Sequence, residues 1–413
     1  MSAIGNIPSI TDGEFSGKRV LLRVDINSPI DQNTGKIVND NRIVKSIPTI
    51  KSLIDAGAKL TIIAHQGDTT DYPSLISLKE HAERLSKLLQ TSVQFIEDIA
   101  GPAAKDKIKQ LKSGEVLLLD NIRYLVEEAS TFEDVVQQSP EDMANCYMIR
   151  QLAPLFDCYV NDAFAAAHRN SPSMVGFQQT MPSYAGLLLM QELSALQSIT
   201  DNPTRPCIYM LGGARAGDAF GMIEQVLNDD SADTILLSGL VGQIFMMADD
   251  VDIGESSAGF IRHKGFEKFI EPAKNFLTNH REKICYARDV AVNDNGKRLN
   301  LNINDVADNQ DISDIGDQSI ELFCAIIKSA QTIFVNGPCG IYENQEFEKG
   351  TKALWNAVAN AKGFSVIGGG DSVTSFTKFT DINNINYVST AGGALIRYLS
   401  GVKLPLLEAF NKK

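Results

Sequence analysis

Short apolar runs, each followed by a turn and then a helix-forming stretch, recur along the whole chain, and this rhythm restricts the fold more than any other feature. In the first half the runs are RVLLRVD (19–25), KLTIIAH (59–65), EVLLLD (115–120) and DCYVND (157–162). The second half carries PCIYML (206–211), DTILLS (233–238), KICYA (283–287), QTIFVN (331–336), FSVIG (364–368) and NYVS (386–389). Nearly all are apolar throughout instead of alternating, as in strands covered by helices on both faces. Strand–helix alternation implies βαβ units and parallel sheets. Ten such strands exceed one ordinary sheet, which predicts an α/β chain of two doubly wound, parallel-sheet (Rossmann-like) domains. A length of 413 residues accommodates two large cores.

The division is expected at YAGLLLMQELSALQSI (184–199), a helix-forming apolar run ended by the turn-rich TDNPTRP (200–206). This reading gives a first domain over 1–184, a joining helix over 185–200 that acts as a hinge, and a second domain over 201–392. Segment 289–317 is rich in Asn and Asp and reads as hairpin and loop surface.

Lys plus Arg total 38 against 51 Asp plus Glu, a net charge of −13. A surface this acidic repels nucleic-acid backbones and anionic lipid, so neither is an expected partner. An anionic substrate needs a local cationic pocket built against that field. No run approaches the ~20 apolar residues of a membrane helix. The opening MSAIGNIPSITDG lacks the basic and apolar regions of an export signal. Six scattered cysteines form no Cys-x-x-Cys pair, which suits reduced thiols in a cytoplasmic protein.

In open α/β sheets ligands bind beyond the carboxyl ends of the strands, so the polar residues there are informative. In the first half these are Asp25 and Asn27, then His65, then Asn121 and Arg123, then Asn161, Asp162, His168 and Arg169. With Arg42 at the start of the helix RIVKSIPTI, three arginines and two histidines fall at ends of one sheet. Arginine forks match phosphate and carboxylate, so the set suits a small phosphorylated or carboxylated ligand. The alternative for each residue is an arginine paired with a surface carboxylate and a histidine satisfied in the core.

The second half carries LGGARAGDAFG (211–221), two glycines after a strand with Asp218 opening a helix, and VIGGGDSVTSF (366–376). Glycines admit a ligand close to the backbone, and helix N-terminal amides attract phosphate. Asp371 is placed to hold a metal on bound phosphates, or else Asp371 or Ser372 only caps the helix. In FVNGPCGIYE (334–343), Asn336 and Glu343 either face a nucleotide sugar or stabilise the turn.

The ordered set KRVLLRVDINSPI (18–30), NDNRIVKSIPTIKSLIDAGAKL (39–60), LLLDNIRY (117–124), YVNDAFAAAHR (159–169), LGGARAGDAFGMIE (211–224), FVNGPCGIYENQEFEKGTKAL (334–354), IGGGDSVT (367–374) and STAGGALIRYLSG (389–401) resembles the phosphoglycerate kinase family over almost the full length. The resemblance implies a phosphoglycerate-binding first domain, a nucleotide-binding second domain and a tail over 393–413 returning to the first. It further implies glycolytic phosphoryl transfer between ATP or ADP and the carboxylate of 3-phosphoglycerate, with Mg²⁺, in a monomer whose domains close to bring the substrates together. By this match Asp25, Asn27, Arg42, His65, Arg123, His168 and Arg169 bind the acid, and Arg42 with Arg215 serves the transferring phosphoryl group. Gly212, Gly213, Arg215, Gly239, Asn336, Glu343, Gly369, Gly370, Asp371 and Ser372 fall on the nucleotide side, with Asp371 as the Mg²⁺ contact.

Three departures stand out. After His65 the family's Leu-Gly-Arg reads Gln66-Gly67-Asp68, an anion for a cation. Its Gly-Gly-Ala-Lys and following Asp-Lys read here with Arg215 and Ala219, and its Gly-Gly-Met reads Ser238-Gly239-Leu240. Asp68 therefore leaves open a kinase of the same fold for a different acid, and Ala219 a non-catalytic nucleotide- or metabolite-binding protein.

Overall fold

The computed structural model describes residues 7–411. The reading of the chain start as free of an export signal, and the outer ends of the expected domains, extend beyond those residues. Two compact units divide at Leu193/Ser194, and the chain from Lys403 rejoins the first.

In the first unit six strands form one parallel sheet: β1 (Arg19–Val24), β2 (Lys59–Ile63), β3 (Val93–Ile96), β4 (Val116–Leu119), β5 (Cys158–Asp162) and β6 (Ser183–Ala185). Their order is β3-β4-β2-β1-β5-β6, so the chain runs from β1 through β2 to β3 at one edge, returns to place β4 between β2 and β3, and then crosses to β5 and β6 on the other side of β1. Successive residues of β1 feed opposite faces, as a period of two requires. Val20, Leu22 and Val24 pack with Ile43, Ile50 and Leu53 of the helix Asn41–Asp55. Leu21 joins Leu117, Leu119 and Tyr159 on the other face. With both faces covered the strand has no exposed apolar side, hence its unbroken apolar sequence. Beyond Lys403, the Leu406 amide donates to the Ala167 carbonyl of this unit at 3.2 Å.

The second unit repeats the plan with β7 (Cys207–Leu211), β8 (Thr234–Leu237), β9 (Ile284–Tyr286), β13 (Thr332–Asn336), β14 (Phe364–Gly368) and β15 (Tyr387–Val388), ordered β15-β14-β13-β7-β8-β9. A three-stranded antiparallel sheet, β11-β10-β12, is built from β10 (Asp289–Asp294), β11 (Lys297–Asn302) and β12 (Ile312–Ile315). The turn Asn295–Gly296 joins β10 to β11, with φ +50° and +86°. Positive φ at both positions suits a two-residue hairpin. The hairpin reading of 289–317 thus gains a third strand.

β3 and β6 were not among the expected strands. Val93–Ile96 is only four residues long, and Ser183–Ala185 is a three-residue edge strand, too short for periodicity to register. The helix Leu187–Thr200 contains the division between the units, at Leu193/Ser194. The helix Gly392–Leu399 belongs to the second unit, where it packs on the helix Ala216–Asn228. Among the described residues no helix is long and apolar enough to cross a membrane. All six cysteines are free thiols.

Candidate functional site

Each sheet reverses winding direction at one point, and the polar residues singled out above gather at these two points. In the first unit the reversal lies between β1 and β5. His65, one step beyond the β2–Ala64 stretch, is buried and faces Arg23, whose Nη2 lies 2.8 Å from the imidazole Nδ1. A guanidinium only donates, so Nδ1 accepts and the neutral ring carries its proton on Nε2. Burial first, then the guanidiniums of Arg23, Arg123, Arg42 and Arg169, push the His65 pKa well below its ordinary value. The ring therefore stays uncharged at neutral pH, a single N–H donor within a cationic group of four arginines.

The remaining acid-side residues are tied to this group in different ways. Arg42, in the first turn of the helix Asn41–Asp55, donates to Asp25 at 2.8 Å. The Asn27 side-chain oxygen accepts the Gly67 backbone amide at 3.2 Å, and the Asn27 backbone amide donates to Asp25 at 3.1 Å. Arg123 is buried in the short turn Ile122–Tyr124, which Asn121 caps by accepting the Arg123 amide at 3.1 Å. Arg169 donates to Ser130 at 2.6 Å and to Glu133 at 3.5 Å. His168 is half-buried beside it. Asn161 and Asp162, named above as strand-end residues, are instead buried in β5. Asn161 donates to the Tyr159 hydroxyl at 2.7 Å, and Asp162 accepts the Leu189 amide at 3.0 Å. Both hold the fold.

Three residues with roles here, Arg23, Ser173 and Glu128, were not singled out in the sequence, and Gln66 stood out only as a departure from the family pattern. Arg23 is one of the largest fully buried side chains. Its Nε donates to Ser173 at 3.3 Å, and Ser173 donates in turn to Glu128 at 2.8 Å, so a buried carboxylate stands behind the buried guanidinium. Gln66 is completely buried: it accepts the Ser28 amide at 2.8 Å and donates to the carbonyls of Ser28 at 3.0 Å and Ser74 at 3.2 Å. It thereby staples three loops beneath the site. Arg23 lies inside a strand otherwise wholly apolar over its last five positions, and that incongruity was the available signal.

In the second unit the reversal lies between β7 and β13. The Gly212 amide donates to the Asn336 carbonyl at 2.9 Å and the Gly213 amide to the Pro338 carbonyl at 2.8 Å. The two turns thus sit against each other. A Cβ on Gly337, whose φ is +96°, would lie 2.3 Å from the Gly212 carbonyl oxygen. Glycine is required there for both conformation and space. The Ser372 hydroxyl accepts the Gly337 amide at 2.7 Å, tying the third loop to the second. Beside these loops lies a cavity of ≈ 500 Å³. Of the expected nucleotide-side residues, Gly213, Gly239, Glu343 and Asp371 line it, whereas Gly212, Arg215, Asn336, Gly369, Gly370 and Ser372 stand behind or outside its lining. Met246, Phe260, Val290 and Ile341 supply an apolar wall. That wall comes partly from β10, a segment read only as surface hairpin. Asn336 leaves its buried Nδ2 without a protein partner, and a Cβ on Gly369 would lie 3.3 Å from that atom.

Arg215 is exposed and precedes the helix Ala216–Asn228. Ala219 is only 4% exposed on the same helix, so its position is a packed one. Asp68, the other departure, does more than substitute a charge: it pairs with Arg123.

A family model described as phosphoglycerate kinase matches residues 10–402. A phosphoglycerate kinase of Methanothermus fervidus is 41% identical over 404 residues, covering 98% of this chain and 97% of that protein. One from Sulfolobus acidocaldarius is 38% identical over 406 residues, with 98% and 96% covered. Among solved structures, phosphoglycerate kinase from Pyrococcus horikoshii superposes with a TM-score of 0.85 at 37% identity. That from Coxiella burnetii gives 0.83 at 30%, each covering 98% of both chains. With a family model matched over nearly the whole length, relatives about 40% identical across 98% of the chain and solved structures that share its fold, the chain belongs to the phosphoglycerate kinase family.

Proposed function

We propose that the chain catalyses phosphoryl transfer between ATP and the carboxylate of 3-phosphoglycerate, and the reverse transfer to ADP. The observation that carries this reading is the neutral His65 set among four guanidiniums at the carboxyl end of one sheet. That arrangement attracts a small polyanion in a chain whose overall charge repels it. Arg42, Arg123 and Arg169 bind the acid's anionic groups, with Asn27, His65 and His168 completing the pocket. His65 donates its Nε2–H without adding charge. Arg42 neutralises charge on the transferring group, a contribution of about 10²–10³ in rate for one such donor. Asp25, bonded to Arg42, holds that guanidinium in place.

On the nucleotide side, the adenine lies against Phe260, Met246 and Ile341. The amides of the turns at Gly212–Gly213 and Gly369–Gly370 approach the phosphates, and Gly239, Asn336, Glu343, Ser372 and Arg215 serve the same ligand. Phosphoryl transfer depends almost wholly on such positioning and charge neutralisation. Mg²⁺ on nucleotide phosphates needs few protein ligands and keeps several waters. Asp371, a carboxylate on the cavity lining in the first turn of the helix Gly370–Phe379, suits that demand. When bound, the ion offsets phosphate charge. The reading includes a monomer acting in the cytoplasm.

A coupled assay with ATP, Mg²⁺ and 3-phosphoglycerate tests the proposal. Turnover is expected, with Arg42→Ala about 10²–10³-fold slower. Turnover no higher than that of Arg42→Ala would sink it.

A further inference from the structure

Asp68 engages two members of the arginine group, Arg123 and Arg169. Its Oδ1 accepts the Thr69 amide at 2.6 Å and the Thr69 hydroxyl at 3.0 Å. Its Oδ2 accepts from Arg123 Nη1 and from the Ser130 hydroxyl, and Arg169 Nη2 lies 3.9 Å away. Ser130 also receives Arg169 Nη1 at 2.6 Å and Arg123 Nη1 at 3.2 Å. Two guanidiniums and a hydroxyl therefore converge on one carboxylate oxygen. The Asp68 side chain is only 14% exposed and that of Arg123 only 6%. Such a convergence of forked donors is the arrangement by which a protein seats a phosphate or carboxylate oxygen. The preceding residue fixes the approach: Gly67 has φ +66°, and a Cβ there would lie 2.3 Å from the Ser74 carbonyl. The loop is thus shaped to present the next side chain to Arg123. Burial opposes its charge, but the Ser130 hydroxyl and then the Arg123 guanidinium and Thr69 outweigh it and hold Asp68 at about 2, so it remains charged in neutral solution.

Other arginines of the group have carboxylates too, Arg42 with Asp25 and Arg169 with Glu133. Asp68 differs in engaging two arginines and the hydroxyl between them. We propose that Asp68 is a specificity-determining residue, an internal anion that occupies the seat formed by Arg123, Arg169 and Ser130 and that the acid substrate must displace. The inference rests on the assignment of this pocket to the acid. A phosphate group brings nearly two charges and three acceptor oxygens against the single charge of a carboxylate. Displacement therefore favours a phospho-acid over a simple carboxylic acid of the same size. The seat also stays closed to weak anions at rest.

Calorimetric titration of the full chain with 3-phosphoglycerate, and separately with inorganic phosphate, tests this in wild type, Asp68→Asn, Asp68→Ala and Arg123→Met. Both Asp68 variants are expected to bind 3-phosphoglycerate about tenfold more tightly, the lower end of what one hydrogen bond to a charged group is worth. Inorganic phosphate gains at least as much, while ATP affinity is unchanged. Arg123→Met is expected to weaken 3-phosphoglycerate binding. Equal or weaker binding in both Asp68 variants, with Arg123→Met still weakened, overturns the displacement proposal and leaves the pocket's assignment intact. If Arg123→Met binds the acid as wild type does, the pocket's assignment fails and this inference fails with it.

Discussion

Replacing Glu128 with Gln probes the buried polar group that holds the acid-side pocket from behind. Glu128 is 2% exposed, and its two oxygens accept the Ser173 amide at 2.5 Å and the Ser173 hydroxyl at 2.8 Å. Ser173 in turn receives Arg23 Nε, and Arg23 Nη2 orients His65. Burial pushes Glu128 up and Arg23 down, and each is the largest charge opposing that trend in the other. Gln keeps the shape but removes the charge, and turns one acceptor into a donor facing a donor. Removing one partner of a buried ionic group costs ~3–5 kcal/mol, because the remaining charge loses its compensation. At ~2–4 °C per kcal/mol for a unit of this size, the melting transition of the first unit falls by roughly 6–20 °C. Differential scanning calorimetry of the full chain reads this directly. The double variant Arg23→Met with Glu128→Leu is expected to recover most of the loss, since apolar replacement of a whole buried pair is often neutral. A fall under about 2 °C for Glu128→Gln would refute the reasoning. So would a double variant as unstable as the sum of its parts, since the cost would then be packing and not uncompensated charge.

Two further outcomes follow from single observations. Burial raises Asp162 from its ordinary 3.8 to about 7, so the folded chain holds a proton that the unfolded chain releases. Stability contributed by this group is present below about pH 4 and is lost as pH rises to about 7; Asp162→Asn should flatten that decline in Tm between pH 5 and pH 7.5, and parallel slopes would count against it. At Gly337, alanine meets both a φ of +96° and the Gly212 carbonyl. Strain of this kind costs ~1–3 kcal/mol, so Gly337→Ala should weaken ATP binding by roughly 5- to 150-fold with 3-phosphoglycerate binding unchanged; unaltered ATP affinity in titration would show that the turn does not serve the nucleotide.

Much of the fold was legible because its signal is local. An apolar run of five or six residues, a turn and an amphipathic helix repeat regardless of what lies across the sheet. The edge strands Val93–Ile96 and Ser183–Ala185 escaped because three or four residues carry too little pattern. The pocket residues were legible for a related reason: parallel sheets place the ends of distant strands side by side, so polar residues just past each strand gather without further information. Their individual partners were not. Asp68 reads as a charge reversal in the sequence, whereas in the fold it is bound to an arginine 55 residues away. Ala219 reads as a missing cation, whereas its site is packed into a helix face.

Sequence alone therefore determined the two parallel sheets, the glycine turns and the set of cationic groups available to an anion. Tertiary structure decided which of those groups already have a counter-charge, and which apparent strand-end residues, such as Asn161 and Asp162, lie inside the core. Periodicity and steric demands act between neighbours along the chain, so they are written locally. Charge compensation acts through a few ångströms of space, between residues such as Arg23, Ser173 and Glu128 that only the folded chain brings together.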